Sequence, residues 1–350
     1  MNTVSVKTRG KIFYLDLLRA IGCLAVVLLH VSSIFTLEPY GSANYILGYI
    51  FDIASQFAVP LFVMISGALY LSEEYSFTTK KMLGHIKKLG FFYLGWSVLY
   101  TLVFTVFKNL LMGIPVTIAR TITEIITGPY HLWFIPMMIG LYVITPFLRL
   151  WVKEENRKYV HGFILLGFVF NFVIPTAQYF TEVFIPGYSG IFDVVDAVHF
   201  AYGAKYVFYF VLGWYLHQVS IHYVEPICCL GILGLLMSIG GTMCFSDVNG
   251  NTSFFFGNFS CGTFFYTVAI FVAVKSIFHE STIRSKFVDL ICSSSLGIYA
   301  MHVGVFPLFS YILKIHNAAL AIPLYFLIAV MLPLAGSVVI KKIKFLSFLV

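Results

Sequence analysis

Three ionisable residues stand inside one long apolar run: Asp16, Arg19 and His30 fall within residues 12–32. A charge in hydrocarbon is costly and persists where it is paired or used. At about 100° per residue, the step from Arg19 to His30 turns through about 1100°, within about 20° of three full turns, so both side chains leave the helix on one side. Asp16 sits at the i, i+3 spacing that lets it meet Arg19. The rise from Arg19 to His30 is about 16 Å at about 1.5 Å per residue. Such a stripe has usable chemistry. An imidazole takes the proton of a hydroxyl as that hydroxyl attacks an electrophilic carbon. It can also form the covalent intermediate itself. A guanidinium holds a carbonyl, phosphate or carboxylate through its planar fork. The plainer reading is a structural ion pair at Asp16 and Arg19 with an interfacial histidine at position 30. The alignment of His30 with Arg19 weighs against it.

Two further groups of polar residues interrupt apolar runs. Ser295, Tyr299 and His302 follow the i, i+4, i+7 pattern of one helix face. That pattern equally suits an interhelical hydrogen-bond stripe. Tyr130-His131-Leu132-Trp133 opens another run. Its Tyr and Trp read as an interfacial belt, and its His131 falls near the depth expected for His30. In Pro60-Leu61-Phe62-Val63-Met64-Ile65-Ser66-Gly67 the Pro and Ser-Gly predict a bent helix with close backbone approach.

The elements that must position these residues are membrane helices. Of 350 residues, 60% are hydrophobic, 18% aromatic and only 11% charged. Soluble domains carry about 25% charged residues. A surface this apolar needs lipid as its solvent. The expected architecture is one all-α integral membrane domain over residues 1–350, with about ten spans. These cover residues 12–32, 45–71, 87–108, 131–150, 159–177, 203–219, 226–245, 260–278, 290–313 and 318–340. With this placement the loops on one side hold seventeen basic residues and those on the other hold four, Lys108, Arg120, Lys205 and Lys314. Lys and Arg accumulate on the cytoplasmic side, so both termini are expected there. The net charge of +7 is thus a topology signal and calls for no nucleic-acid partner. The first run lacks a small-residue cleavage site and reads as a span, not a signal peptide. The longest outer segment, about 177–203, carries Glu182, Asp193, Asp196 and His199. It reads as a functional loop or as a solvated connector. No internal repeat of the transporter kind is visible.

The six cysteines form no C-x-x-C pair, which argues against a structural zinc site, and no metal is expected. Cys244 and Cys261 flank one outer loop. They read either as a disulfide or as two helix-end core thiols.

Tyr14-Leu15-Asp16-Leu17-Leu18-Arg19 continuing to His30 resembles the Arg-x10-His pattern of acyltransferase family 3. Pro60 to Gly67, His131-Leu132-Trp133-Phe134 and Ser295 to His302 are similar to three more landmarks of that family, in the right order along the whole chain. Within it the chain resembles the WecH type, which O-acetylates the enterobacterial common antigen. The resemblance implies a bacterial inner-membrane O-acyltransferase with no permanently bound cofactor. It would move acetyl from acetyl-CoA to a hydroxyl of an envelope glycan or lipid-linked saccharide. In that reading His30 is the general base, Arg19 orients the thioester or a CoA phosphate, and Asp16 positions Arg19. His131, Trp133, Ser66, Ser295, Tyr299 and His302 are the substrate-side residues. The loop clusters Lys80, Lys81, Lys87 and Lys88, with Arg284 and Lys286, are candidate contacts for the CoA phosphates, although each taken singly is first a topology signal. The rival reading is an exporter of a glycan or lipid-linked sugar, which explains the spans and buried charges but not the ordered motifs.

The charge asymmetry predicts that position 80 and position 154 are cytoplasmic. Cysteines placed there should resist a membrane-impermeant maleimide added to whole cells, and labelling at either would reverse the orientation.

Overall fold

A computed structural model describes residues 12–75, 78–185, 205–245, 254–281, 283 and 285–350. Among the described residues there is no strand. Helix α1 covers Phe13–Ser33, α2 Ala43–Ser55, α3 Ala58–Tyr70 and α4 Thr79–Tyr100, which continues as a π-helix through Phe107. Then come α5 (Ile118–Thr127), a 3₁₀ turn at Tyr130–Trp133, α6 (Phe134–Trp151), α7 (Arg157–Phe168), α8 (Ile174–Phe184) and α9 (Lys205–Gln218). The last four are α10 (Val224–Phe245), α11 (Cys261–Phe278), α12 (Lys286–Leu313) and α13 (Ala318–Lys342). Nine helical stretches among the described residues are long and apolar enough to cross a bilayer. The protein is an all-α integral membrane protein. Each of the ten expected runs is occupied by helix; in the run 203–219 the described helix is the 14-residue α9.

Several boundaries differ from the sequence reading, each for a local reason. Helix α4 begins at Thr79, eight residues before the expected span, because the Thr78 hydroxyl accepts from the Lys81 amide. Lys80, Lys81, Lys87 and Lys88 therefore stand on exposed turns of α4 and not in a loop. Lys286 opens α12, and Arg284 lies outside the described residues. The run 45–71 is two helices broken at Gln56–Phe57. Pro60 has no N–H for the carbonyl four residues back, so the break falls there. All six cysteines, Cys244 and Cys261 included, carry free thiols. Asp193, Asp196 and His199 lie outside the described residues.

The chain forms two compact units. The first gathers the described parts of Met1–Gly22, Gln56–Phe77 and Phe147–Asp289. Its helices meet through small residues. A Cβ on Gly67 would lie 1.7 Å from the Phe210 carbonyl oxygen, and one on Gly213 2.0 Å from that of Met64, so α3 and α9 cross with their backbones in contact. Two cations close helix C-termini. Arg149 donates to the carbonyls of Tyr70 and Ser72 (2.7 and 2.9 Å) at the end of α3. Lys275 donates to those of Leu216, His217 and Val219 (2.7–2.8 Å) at the end of α9. These carbonyls lack intrahelical partners, and a cation suits the negative end of a helix.

The second unit gathers Cys23–Ser55, Thr78–Pro146 and Leu290–Val350. Phe92 and Trp96 of α4, Leu132, Ile135 of α6 and Ala300 of α12 form its buried cluster. The Trp96 indole donates to the Leu349 carbonyl at 2.9 Å, which ties the C-terminal segment to α4.

A methyl group at the α3–α9 crossing must push two backbones apart. Gly213→Ala should therefore lower the thermal midpoint in detergent, by the equivalent of about 1–3 kcal/mol. Gly140→Ala, whose Cβ would meet nothing within 4 Å, should not lower it. Equal midpoints for both variants would contradict the close crossing.

Candidate active site

Three histidines from three separate segments meet in the second unit. The His30 ring, near the end of α1, lies 5.1 Å from that of His302 on α12. The His302 ring lies 5.8 Å from that of His131, in the 3₁₀ turn before α6. Tyrosines surround them. Tyr130 stands 5.8 Å from His30, Tyr100 of α4 5.1 Å from His131, and Tyr299 6.2 Å from His302. His131 and His302 are buried, at 1% and 0% exposure, and His30 is half-buried.

The hydrogen bonds fix what the buried rings present. His302 Nδ1 faces the Ile298 carbonyl at 3.1 Å, and His131 Nε2 faces the Ala300 carbonyl at 3.3 Å. A carbonyl oxygen only accepts, so each of those nitrogens carries the hydrogen. The opposite nitrogen of each neutral ring, His302 Nε2 and His131 Nδ1, then holds a lone pair. Both are buried and have no hydrogen-bond partner among the described residues. Buried acceptors are usually partnered, so these two lone pairs are free to accept from a donor that enters the cluster. The backbone around them is held firmly. The Tyr299 hydroxyl donates to the His131 carbonyl, and the Tyr100 hydroxyl donates to that of Ala300 at 2.7 Å.

The other expected site residues are placed elsewhere or differently. Asp16 and Arg19 lie on the first turns of α1 in the first unit, 3.8 Å apart as a partly exposed ion pair. Ser66 is also in the first unit and donates to Phe62 of its own helix. Ser295 does the same, to Cys292. Neither serine hydroxyl is directed to the histidines by these bonds. Trp133 is 43% exposed and packs edge-on against Phe134. A separate groove of about 540 Å³ in the first unit, lined by His217, Gln218, Ser276, His279 and Glu280 among others, contains none of the expected residues.

Comparison with known families supplies the decisive observation. The model of the family described as acyltransferase domain matches residues 12–342, a range that includes all three histidines. The chain belongs to acyltransferase family 3. No curated protein and no solved structure matches it. Membership of this family makes it an acyltransferase, and its long apolar helices make it a multi-pass membrane protein. Tyr100 of this acyltransferase was absent from the sequence reading. One tyrosine in an aromatic-rich span carries no pattern, and only the fold shows that its hydroxyl reaches α12. Among the described residues no group of three His, Cys, Asp or Glu is arranged to hold a metal ion.

The carbonyl partners predict the tautomers. Long-range ¹⁵N–¹H spectra of histidine-labelled protein, assigned by single His→Gln variants, should show neutral His302 as the Nδ1–H form and neutral His131 as the Nε2–H form. The reverse tautomer at either would contradict this geometry.

Proposed function

We propose that this acyltransferase moves an acetyl group from acetyl-CoA to a hydroxyl of an envelope glycan or lipid-linked saccharide in a bacterial inner membrane, in the manner of the WecH type. The observation that carries this reading is the convergence of His30 with His131 and His302. A sugar hydroxyl is a weak nucleophile at neutral pH. His30 takes its proton as the oxygen attacks the thioester carbon. The C–S bond then breaks, and the leaving thiolate receives the proton that His30 took, which restores the neutral imidazole. The lone pairs on His131 Nδ1 and His302 Nε2 accept from the hydroxyl hydrogens of the acceptor and hold it for attack. Tyr299 and Trp133 complete the acceptor side.

Arg19 has the role of a clamp on a phosphate of the donor, with Asp16 setting its orientation. Lys80, Lys81, Lys87 and Lys88 form an exposed cationic row on the first turns of α4, suited to the anionic phosphates of CoA. With both termini cytoplasmic, that row faces the compartment where CoA is found.

Acetylation of envelope glycan is measured in cells beside the membrane level of each variant. His30→Ala at normal level should lose about 10²–10⁴-fold in transfer, the usual contribution of a general base. Arg19→Lys should also be severely impaired, because an ammonium lacks the planar fork. Near-normal acetylation by His30→Ala would refute the assignment. If His302→Ala alone were inactive, the base would be on α12.

A further inference from the structure

Helix α5 belongs to none of the nine crossing stretches, yet it carries the most sharply divided surface among the described helices. Taking Ile118 as the origin and about 100° per residue, Ile122 and Ile126 fall at about 40° and 80°, and Thr123, Thr127, Arg120 and Glu124 between about 140° and 240°. The three isoleucines are 80%, 51% and 66% exposed. On the opposite face Arg120 and Glu124 pair at 3.0 Å.

Its neighbours on α4 and the π-helix reveal its direction. One turn before its end, the Thr105 hydroxyl bonds to the Glu124 carboxylate. At its end, the Tyr93 hydroxyl donates to the Ile126 carbonyl at 2.9 Å. Just beyond, a Cβ on Gly128 would lie 2.6 Å from the Tyr93 hydroxyl and 2.9 Å from that of Ser97. From residue 124 to residues 126 and 128, its partners step back from residue 105 to residues 93 and 97. It therefore runs antiparallel to a stretch, Thr79–Val106, that crosses the membrane. From Thr105 to Ser97 that stretch rises on the order of 10 Å. The C-terminal end of α5 thus stands well inside the span and not at its edge.

We propose that residues 118–129 re-enter the bilayer alongside α4, with Ile118, Ile122 and Ile126 against lipid acyl chains and Arg120, Thr123, Glu124 and Thr127 facing a water-filled inlet. Two physical constraints require both halves. An exposed isoleucine stripe at membrane depth needs hydrocarbon. A charged face and the non-helical backbone at Gly128–Pro129 are tolerated at that depth where they line water or protein. Tyr130, 66% exposed and 5.8 Å from His30, stands where the segment ends. Resting on the transferase reading above, the inlet is the route by which a polar acceptor reaches the histidines.

The test uses the full-length protein in phosphatidylcholine proteoliposomes. Ile118→Trp, Ile126→Trp and Thr127→Trp are each read as a difference from the parent, with the lipid brominated at a shallow or a deep acyl position. The expected result is quenching of both isoleucine variants by lipid. Position 126 should be quenched more by the deep bromines than position 118. Thr127→Trp should be quenched by aqueous acrylamide and not by bromolipid. Equal, shallow quenching at 118 and 126 would mean a helix lying flat on the membrane and would overturn the proposal. So would the absence of bromolipid quenching at both, which would mean that protein, such as a second copy of the chain, covers the stripe. The readout is optical, so it does not depend on turnover. An inactive acetyl-transfer assay with the expected quenching would refute the functional reading and leave the re-entrant segment standing.

Discussion

The Ala300 carbonyl accepts from two side chains carried by two other segments, Tyr100 of α4 and His131 of the 3₁₀ turn, and that shared oxygen orients the His131 ring. The arrangement is reciprocal, because Tyr299, one residue earlier on α12, donates back to the His131 carbonyl. In a low-dielectric interior such bonds strengthen, and losing one partner leaves another group unpaired. The bond from His131 Nε2 to Ala300 turns its other nitrogen away from that carbonyl. Gly304, one turn further along α12, belongs to the same arrangement: a Cβ there would lie 3.1 Å from the Tyr100 hydroxyl.

The two units are built by different means. In the first, glycines bring α3 and α9 into backbone contact, and Arg149 and Lys275 close helix ends with charge. Lipid tails are as apolar as the side chains they would replace, so packing and polar bonds, not hydrophobic burial alone, hold membrane helices together. In the second, side-chain to carbonyl bonds do the same work around the histidines. Helix α1 belongs to both units, carrying Arg19 in the first and His30 in the second.

Much of the fold was legible because lipid imposes a simple rule, a long apolar run per crossing. The boundaries that slipped did so where a local cap or a proline decided the matter, at Thr78 and at Pro60. The site was legible in part. Periodicity placed Tyr299 and His302 on one face, and a depth argument brought His131 level with His30; the structure joins all three histidines. Ser295 fits the same face but spends its hydroxyl on its own helix, a choice that spacing cannot reveal. Tyr100 and the tautomers were invisible, because each depends on a carbonyl from a segment far away in sequence.

The central claim is that His30 and His302 act on one acceptor in one step. A double-mutant cycle on the rate of acetyl transfer tests it most directly, comparing His30→Ala, His302→Ala and the double variant at matched membrane levels. Groups that act as a unit show strongly non-additive losses. The account predicts a double variant no slower than the slower single variant. Losses that multiply would show that the two histidines act independently and would contradict it.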